Sequence, residues 1–143
     1  VKELKSIAEG DYMFGLKSSG VHSNGYSLVR KLLETDAYSL EELLTPTKIY
    51  VTDVMRLVCE LGEDVRGFCH ITGGGFVDNI PRVLGMGKTF SLERWDLPDV
   101  FKWIQKESNM TYLEMMTTYN CGYGMVLVIN REIYVGDKIG RVI

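Results

Sequence analysis

The sequence predicts an α+β domain in which helices pack on a sheet. Some stretches alternate apolar and polar side chains, as strands do, and others repeat apolar residues at helical spacing. The two kinds of stretch do not alternate strictly, which disfavours a doubly wound parallel fold. The 143 residues, of which 45% are hydrophobic and 24% charged, suffice for one globular domain with its own core. Residues 1–143 are therefore predicted to form a single domain.

The first predicted unit is a strand, a polar turn and a helix. Residues 11–17 have the alternation of a strand. The helix is indicated by apolar residues at helical spacing, namely Leu28, Val29, Leu32 and Leu33. Ser39 and Glu42 then resemble a capping box that opens a short helix, which Pro46 ends.

A second helix, a strand and a third helix are predicted in the middle of the chain. Apolar residues between Val51 and Leu61 indicate an amphipathic helix that Gly62 ends. Residues 65–71 predict a strand that leads into a run of glycines. A short helix follows and is expected to stop before Pro81.

The last third begins with a short strand over 88–93 and continues with two helices, one beginning at Asp99 and one around Met115. Residues 125–129 are continuously apolar and predict a well-buried strand. Residues 132–143 predict a hairpin that turns at Gly136 and Asp137.

Charge and cysteine content narrow the functional classes. The net charge is −3, and the sequence has no cluster of like charges. Neither a nucleic acid nor a membrane is therefore a predicted partner. No apolar stretch approaches the roughly 18 residues of a membrane span. The cysteines are three in number and lack a C-x-x-C spacing. They are predicted to be reduced and buried in a cytoplasmic protein, with no zinc site.

Both histidines of the chain fall in small, polar, glycine-rich turns. His22 lies between the first strand and the first helix, and His70 ends a strand before the glycines 73–75. A third such turn surrounds Asn120. Small residues let backbone N–H groups approach a ligand, and a helix that starts there favours an anion. Phosphates and carboxylates suit such a place. The alternative is that the glycines serve only the turns and that the histidines cap or pack.

Four motifs stand in one order along the chain: GLKSSGVHSNGYSLVRKLL over 15–33, LLTPTKIYV over 43–51, HITGGGFVDNIPRVL over 70–84 and EMMTTYNCGYGMVLVI over 114–129. Together they resemble the C-terminal half of the aminoimidazole ribonucleotide synthetases, also called phosphoribosylformylglycinamidine cyclo-ligases. The resemblance covers roughly 10–129. It implies a three-layer α/β/α domain, partly ferredoxin-like, beside an N-terminal domain that forms a homodimer.

The resemblance also implies a reaction of purine biosynthesis. ATP phosphorylates the formyl amide oxygen of formylglycinamidine ribonucleotide, a nitrogen of the same substrate attacks that carbon, and phosphate leaves as the imidazole ring closes. Mg²⁺ assists the transfer. The resemblance places the acidic Mg²⁺ ligands and much of the ATP site in the N-terminal domain. That domain is absent from this chain, which is therefore expected to be inactive by itself.

By resemblance, the glycine-rich turns face the cleft between the two domains. His22 and His70 are the predicted catalytic residues, with His22 donating to the phosphoryl or amide oxygen, or moving a proton near its ordinary pKa of about 6.5. The backbone N–H groups of glycines 73–75 are expected to bind the ribose 5-phosphate of the substrate. The predicted substrate-binding residues are Ser23, Asn24, Gly25, Thr72, Gly73, Gly74, Gly75 and Asn120.

The resemblance leaves two other hypotheses open. One is a relative with another substrate, such as the amidotransfer-type synthetase of the preceding purine step, against which HITGGGFVDNIPRVL argues. The other is a degenerate, non-catalytic domain of the same fold that acts as an interaction module. The family generally carries a helix before its final strand, and residues 130–143 leave no room for it. One flank of the sheet is therefore expected to be exposed and able to pair with another chain.

Overall fold

The computed structural model describes residues 6–143 and consists of five strands and six helices in this part of the chain. The strands are β1 (Tyr12–Lys17), β2 (Val65–His70), β3 (Phe90–Leu92), β4 (Tyr123–Ile129) and β5 (Asp137–Val142). The helices are α1 (Tyr26–Leu33), α2 (Leu40–Leu43), α3 (Val51–Leu61), α4 (Gly75–Leu84), α5 (Asp99–Ser108) and α6 (Tyr112–Thr118), with a 3₁₀ turn at Gly62–Asp64.

All strands pair antiparallel in the order β2-β4-β1-β5-β3. Because β1 and β2 both lie antiparallel to β4, they run in the same direction and end at the same edge of the sheet. The turn that enters β4 lies at that edge too. The topology thus collects all three glycine-rich turns at one end of the sheet.

Alternating residues of β4 supply both cores, so the sheet is a middle layer. Val126 and Val128 belong to the larger cluster, which includes buried residues of α1, α4, α5 and α6. Leu127 and Ile129 belong to the smaller cluster, which the buried face of α3 completes. Every residue of β4 is buried, as its apolar sequence predicts. The three-layer α/β/α arrangement expected from the sequence is confirmed.

Helix α4 is longer than predicted, because it continues through Pro81 to Leu84. Proline removes the hydrogen bond to the carbonyl four residues earlier, which here belongs to Val77. Val77 lies on the exposed side of the helix, where water can satisfy that carbonyl. The apolar residues on the other face, Phe76, Ile80 and Leu84, are buried and hold the helix together across the proline.

The predicted C-terminal hairpin is wrong. Only Asp137–Val142 forms a strand, and it pairs with β1 and β3 rather than with the segment before it. Ile133 and Val135 pack against the smaller core cluster, so their alternation covers the core instead of forming a strand. In the described chain no helix lies between β4 and β5.

The cysteines follow the prediction in part. Cys59, Cys69 and Cys121 are all free thiols. Cys69 and Cys121 are buried, as expected, but Cys59 is exposed. Helix α3 buries Val54 and Leu57, and Cys59 lies on its solvent side.

Candidate active site

The β1–α1 turn places the His22 imidazole through an uncommon backbone conformation. His22 has a φ of 59°, in the left-handed region that few residues other than glycine adopt. The backbone N–H of Ser19 donates to Nε2 of His22 across 3.2 Å. A neutral imidazole that accepts at Nε2 carries its proton on Nδ1. The turn therefore fixes Nδ1 as the donor atom of this ring.

The His22 side chain is turned inward. It is only 3% exposed, and Nδ1 is buried without a hydrogen-bond partner among residues 6–143. Burial lowers the pKa of His22, and the nearby His70 lowers it further. Of the two roles that the resemblance implies for His22, donation of a hydrogen bond and transfer of a proton near its ordinary pKa, the lowered pKa favours donation. The structure favours the neutral ring and leaves its Nδ1–H buried and unpaired in the described part of the chain.

Hydrogen bonds attach the His22 turn to two other segments. The Ser19 hydroxyl donates to the Pro46 carbonyl across 2.7 Å, and the hydroxyls of Ser23 and Thr47 lie 3.3 Å apart. From the third turn, Nδ2 of Asn120 donates to the carbonyl of Gly20 across 2.8 Å. These bonds hold the His22 turn against both the third turn and the segment that precedes α3.

Asn120 is a scaffold residue in this structure. It is fully buried, and its Oδ1 accepts from the Gly122 N–H across 2.9 Å. Both polar atoms of its amide are thus engaged within the fold. Asn120 positions the His22 turn and does not line the small cavity that the two histidines share.

Asn79 orders the glycine-rich loop between β2 and α4. Its Nδ2 donates to the carbonyls of Gly73 and Gly75 across 3.1 and 2.7 Å, and to that of Thr72 across 3.3 Å. The Thr72 hydroxyl donates back to Oδ1 of Asn79 across 3.1 Å. Sequence reasoning missed this residue. Its only signal was its place in HITGGGFVDNIPRVL.

The glycines of this loop have different roles. Gly75 has a φ of 57°, and a Cβ there would strike the backbone carbonyl of Met116, so it allows α4 and α6 to pack closely. A Cβ on Gly74 would strike the Asp78 carboxylate, which lies over the N-terminus of α4 and disfavours an anion at that point. Gly73 is open, and the nearest atom to its Cβ would be Oδ1 of Asn24 at 3.7 Å.

Five of the predicted site residues meet at one cavity of about 160 Å³. They are His22, Ser23, Asn24, His70 and Thr72, and Thr47 and Ile71 complete the wall. The space is smaller than the few hundred Å³ of a typical ligand pocket, so it suits one group of a larger ligand. Gly25 lies apart from it, because its backbone contacts the ring and hydroxyl of Tyr119.

A larger cleft of about 450 Å³ adjoins this cavity and shares Thr47 and His70 with it. Its wall is mainly apolar and includes Tyr50, Phe68 and Met125. Together the two spaces offer polar donors at one end and apolar surface at the other. That combination suits a ligand with an oxygen-rich group and a flat or apolar body.

The chain shows neither a metal cluster nor a membrane span in the part that the structure describes. Between residues 6 and 143, no three His, Cys, Asp or Glu side chains are grouped so that they could hold a metal ion. No helix in the same part of the chain is long and apolar enough to cross a membrane.

Comparisons with known proteins give the family. Residues 8–132 match the model of "AIR synthase related protein, C-terminal domain". The chain is 42% identical over 139 residues to a phosphoribosylformylglycinamidine cyclo-ligase of Methylobacillus flagellatus, with 89% of this chain and 40% of that protein covered. It is 44% identical over 137 residues to a phosphoribosylformylglycinamidine cyclo-ligase of Bordetella avium, with 87% of this chain and 39% of that protein covered. It is 41% identical over 165 residues to a chloroplastic phosphoribosylformylglycinamidine cyclo-ligase of Arabidopsis thaliana, with 97% of this chain and 42% of that protein covered.

The chain thus spans about two fifths of the length of the curated relatives it matches. The family match covers most of the chain, including all three glycine-rich turns and both histidines. The chain belongs to the family of AIR synthase related protein C-terminal domains.

Proposed function

We propose that the chain is the substrate-side, C-terminal domain of an ATP-dependent cyclo-ligase. The reaction converts formylglycinamidine ribonucleotide to aminoimidazole ribonucleotide, with ADP and phosphate as the other products. The relatives carry the name of this enzyme. The observation that carries the proposal is that His22 and His70, the only histidines of the chain, line the same small cavity.

The reaction needs hydrogen-bond donors where charge develops. The formyl amide oxygen bonds to the terminal phosphorus of ATP as ADP leaves. A substrate nitrogen then attacks the activated carbon, the C–O bond to phosphate breaks, and the nitrogen loses a proton. Negative charge builds up on the oxygens of the leaving ADP in the first step and on those of the departing phosphate in the second. Donors aimed at these oxygens typically contribute about 10²–10³ in rate each.

The five predicted site residues at the cavity each have a proposed task in this chemistry. His22 donates from Nδ1 to the amide oxygen or to the phosphoryl group bound to it, once substrate binding uncovers this buried atom. His70 faces the same space from the end of β2 and donates to the same group. Asn24 and Thr72 orient the substrate through an amide and a hydroxyl, and Ser23 supports the turn. Such positioning accounts for much of the catalysis of phosphoryl transfer.

The substrate phosphate is proposed to lie at the open side of the glycine loop. Gly73 offers close backbone approach there and borders Asn24. Gly75 is excluded from direct binding, because its N–H donates to the Thr72 carbonyl across 3.0 Å. Gly74 and Gly25 shape the loops from their left-handed conformations.

ATP and Mg²⁺ require residues beyond those described. Residues 6–143 contain no group of three side chains able to hold a metal ion. By the family resemblance, the Mg²⁺ ligands, much of the ATP site and the contacts of a homodimer are assigned to an N-terminal domain. The cytoplasmic location predicted from the sequence stays a prediction.

Release of ADP tests the proposal. The chain is assayed with ATP, Mg²⁺ and formylglycinamidine ribonucleotide, alone and after joining to the N-terminal domain of the Methylobacillus flagellatus relative. Activity is expected only in the joined protein. The substrate of the preceding purine step, formylglycinamide ribonucleotide with glutamine, serves as the comparison and is expected to give none. A folded joined protein without activity would favour the non-catalytic alternative.

A further inference from the structure

Tyr50 lies close to both histidines of the cavity. Its ring centroid is 6.2 Å from that of His22 and 6.0 Å from that of His70. The side chain is only 4% exposed, and its hydroxyl donates to the Lys17 carbonyl at the end of β1 across 2.8 Å. Burial raises the pKa of Tyr50 to about 12, so the phenol remains protonated and does not serve as a proton carrier near neutrality.

Gly124 lies against both the His22 ring and the Tyr50 hydroxyl. A Cβ at Gly124 would lie 2.5 Å from Cε1 and 3.1 Å from Nδ1 of His22, and it would also strike the Tyr50 hydroxyl. The backbone φ of Gly124 is not positive, so its conformation does not require glycine. The absence of a side chain is needed for the space that the imidazole and the phenol occupy.

The same glycine links the two histidine segments. The carbonyl of Gly124 accepts from the N–H of Ile71 across 2.8 Å, next to His70. Any shift of the β4 backbone at Gly124 therefore moves the end of β2 as well. Tyr50 and Gly124 both lie against the His22 ring, whose donor atom has no partner among residues 6–143.

We propose that Tyr50 and Gly124 are positioning residues that hold the His22 imidazole with its proton on Nδ1 at the cavity shared with His70. The catalytic consequence of this role rests on the proposed function. The geometric consequence does not, because it concerns the imidazole in this chain alone. Ser19 selects the accepting nitrogen, while the phenol and the missing side chain fix where the ring lies.

Two variants test the two halves of this device. Tyr50→Phe removes only the hydroxyl, and Gly124→Ala introduces a methyl group into the space of the His22 ring. Tyr26→Phe is the control for the first, because it also removes a hydroxyl that donates to a carbonyl, that of Leu43, at 2.5 Å. Gly67→Ala is the control for the second. Its Cβ would lie 3.1 Å from Ile7 and Val83 side chains, on β2 and outside the cavity wall.

The first readout is the nitrogen NMR spectrum of the imidazoles, which is simple because the chain has two histidines. In the parent chain the His22 signals are expected to show a proton on Nδ1. Both site variants are expected to shift the His22 signals, and Gly124→Ala is expected to alter the tautomer ratio. The controls are expected to leave the His22 signals in place. Unchanged His22 signals in folded Tyr50→Phe and Gly124→Ala would overturn the proposal.

The second readout is turnover in the joined two-domain protein. Gly124→Ala is expected to lower kcat by about a hundredfold, the effect of misplacing a reacting group by about 1 Å, with a smaller change in KM. Tyr50→Phe is expected to lower kcat by about tenfold, less than the removal of a direct donor. Shifted His22 signals with unchanged kcat would overturn the catalytic role. If the parent protein has no activity, the proposed function fails, and the NMR result alone still decides the positioning role.

Discussion

The backbone N–H of Ser19 lies 3.2 Å from Nε2 of His22 and leaves Nδ1 as the donor of that ring. This relationship converts a rare histidine in a glycine-rich turn into an oriented, neutral hydrogen-bond donor. It depends on the left-handed backbone of His22 itself. A substitution at His22 therefore needs a residue that tolerates the left-handed backbone conformation.

His22→Asn is the substitution best matched to this backbone, because asparagine tolerates the left-handed region better than most residues. In the joined two-domain protein we expect kcat to fall by about 10²–10³, the usual effect of losing one oriented donor. Steady-state ADP release measures it. Ser27→Ala, in the exposed part of α1, is the control. A kcat within twofold of the parent would remove His22 from the reaction.

The lowered pKa of His22 predicts how stability depends on pH. In the unfolded chain His22 binds a proton near pH 6.5, whereas in the folded chain burial and His70 make protonation harder. The unfolded state therefore binds more protons as the pH falls, and the folded state loses stability below about pH 6.5. Urea unfolding from about pH 5 to 8 is compared in the parent and in His22→Asn. The parent is expected to lose more stability toward low pH; parallel curves would contradict this.

Asn79 is expected to contribute to stability rather than to bind ligand directly. Asn79→Ala removes the amide that bonds three loop carbonyls and leaves buried groups unsatisfied, at about 1–3 kcal/mol. Asn24→Ala, in the cavity wall, is expected to change stability by less than about 0.5 kcal/mol while it weakens substrate binding. Urea unfolding and substrate KM separate the two. If Asn79→Ala lost no more stability than Asn24→Ala, other contacts would hold the loop between β2 and α4.

The glycines 73 and 75 give a matched pair in one loop. Gly75→Ala places a methyl group against the Met116 carbonyl at a φ of 57°, and strain of this kind costs at least about 1–3 kcal/mol. Gly73→Ala meets nothing closer than 3.7 Å and is expected to fold normally. Its effect is expected on substrate KM. Thermal unfolding of both variants is the measurement, and a stable Gly75→Ala protein would contradict the close packing of α4 and α6.

The sequence predicted local structure well where a hydrophobic pattern was compatible with only one kind of element. The apolar run 125–129 forms the buried strand that it predicts, and both histidines were correctly placed at turns. The hairpin failed because Ile133 and Val135 have the spacing of a strand but pack on the smaller core cluster. The end of α4 was misplaced because a proline at an exposed position is tolerated inside a helix.

Residues that act over long sequence distances could not be found in the sequence. Tyr50 precedes an amphipathic helix and has the pattern of a core residue, yet the fold brings it close to both His22 and His70. Asn120 was recognised as a site residue, but its bond to the Gly20 carbonyl spans 100 positions. Such contacts depend on which strands become neighbours, and hydrophobic periodicity does not specify that order.

The measurement that tests the central claim most directly is a histidine-selective NMR titration of the joined two-domain protein with formylglycinamidine ribonucleotide. If the two rings share one ligand site, the imidazole signals of both His22 and His70 shift together with one saturation curve. Inorganic phosphate at the same concentration is the control for simple anion binding. The contradicting result has two parts: ADP release shows that the substrate site is saturated, and both histidine signals stay unmoved.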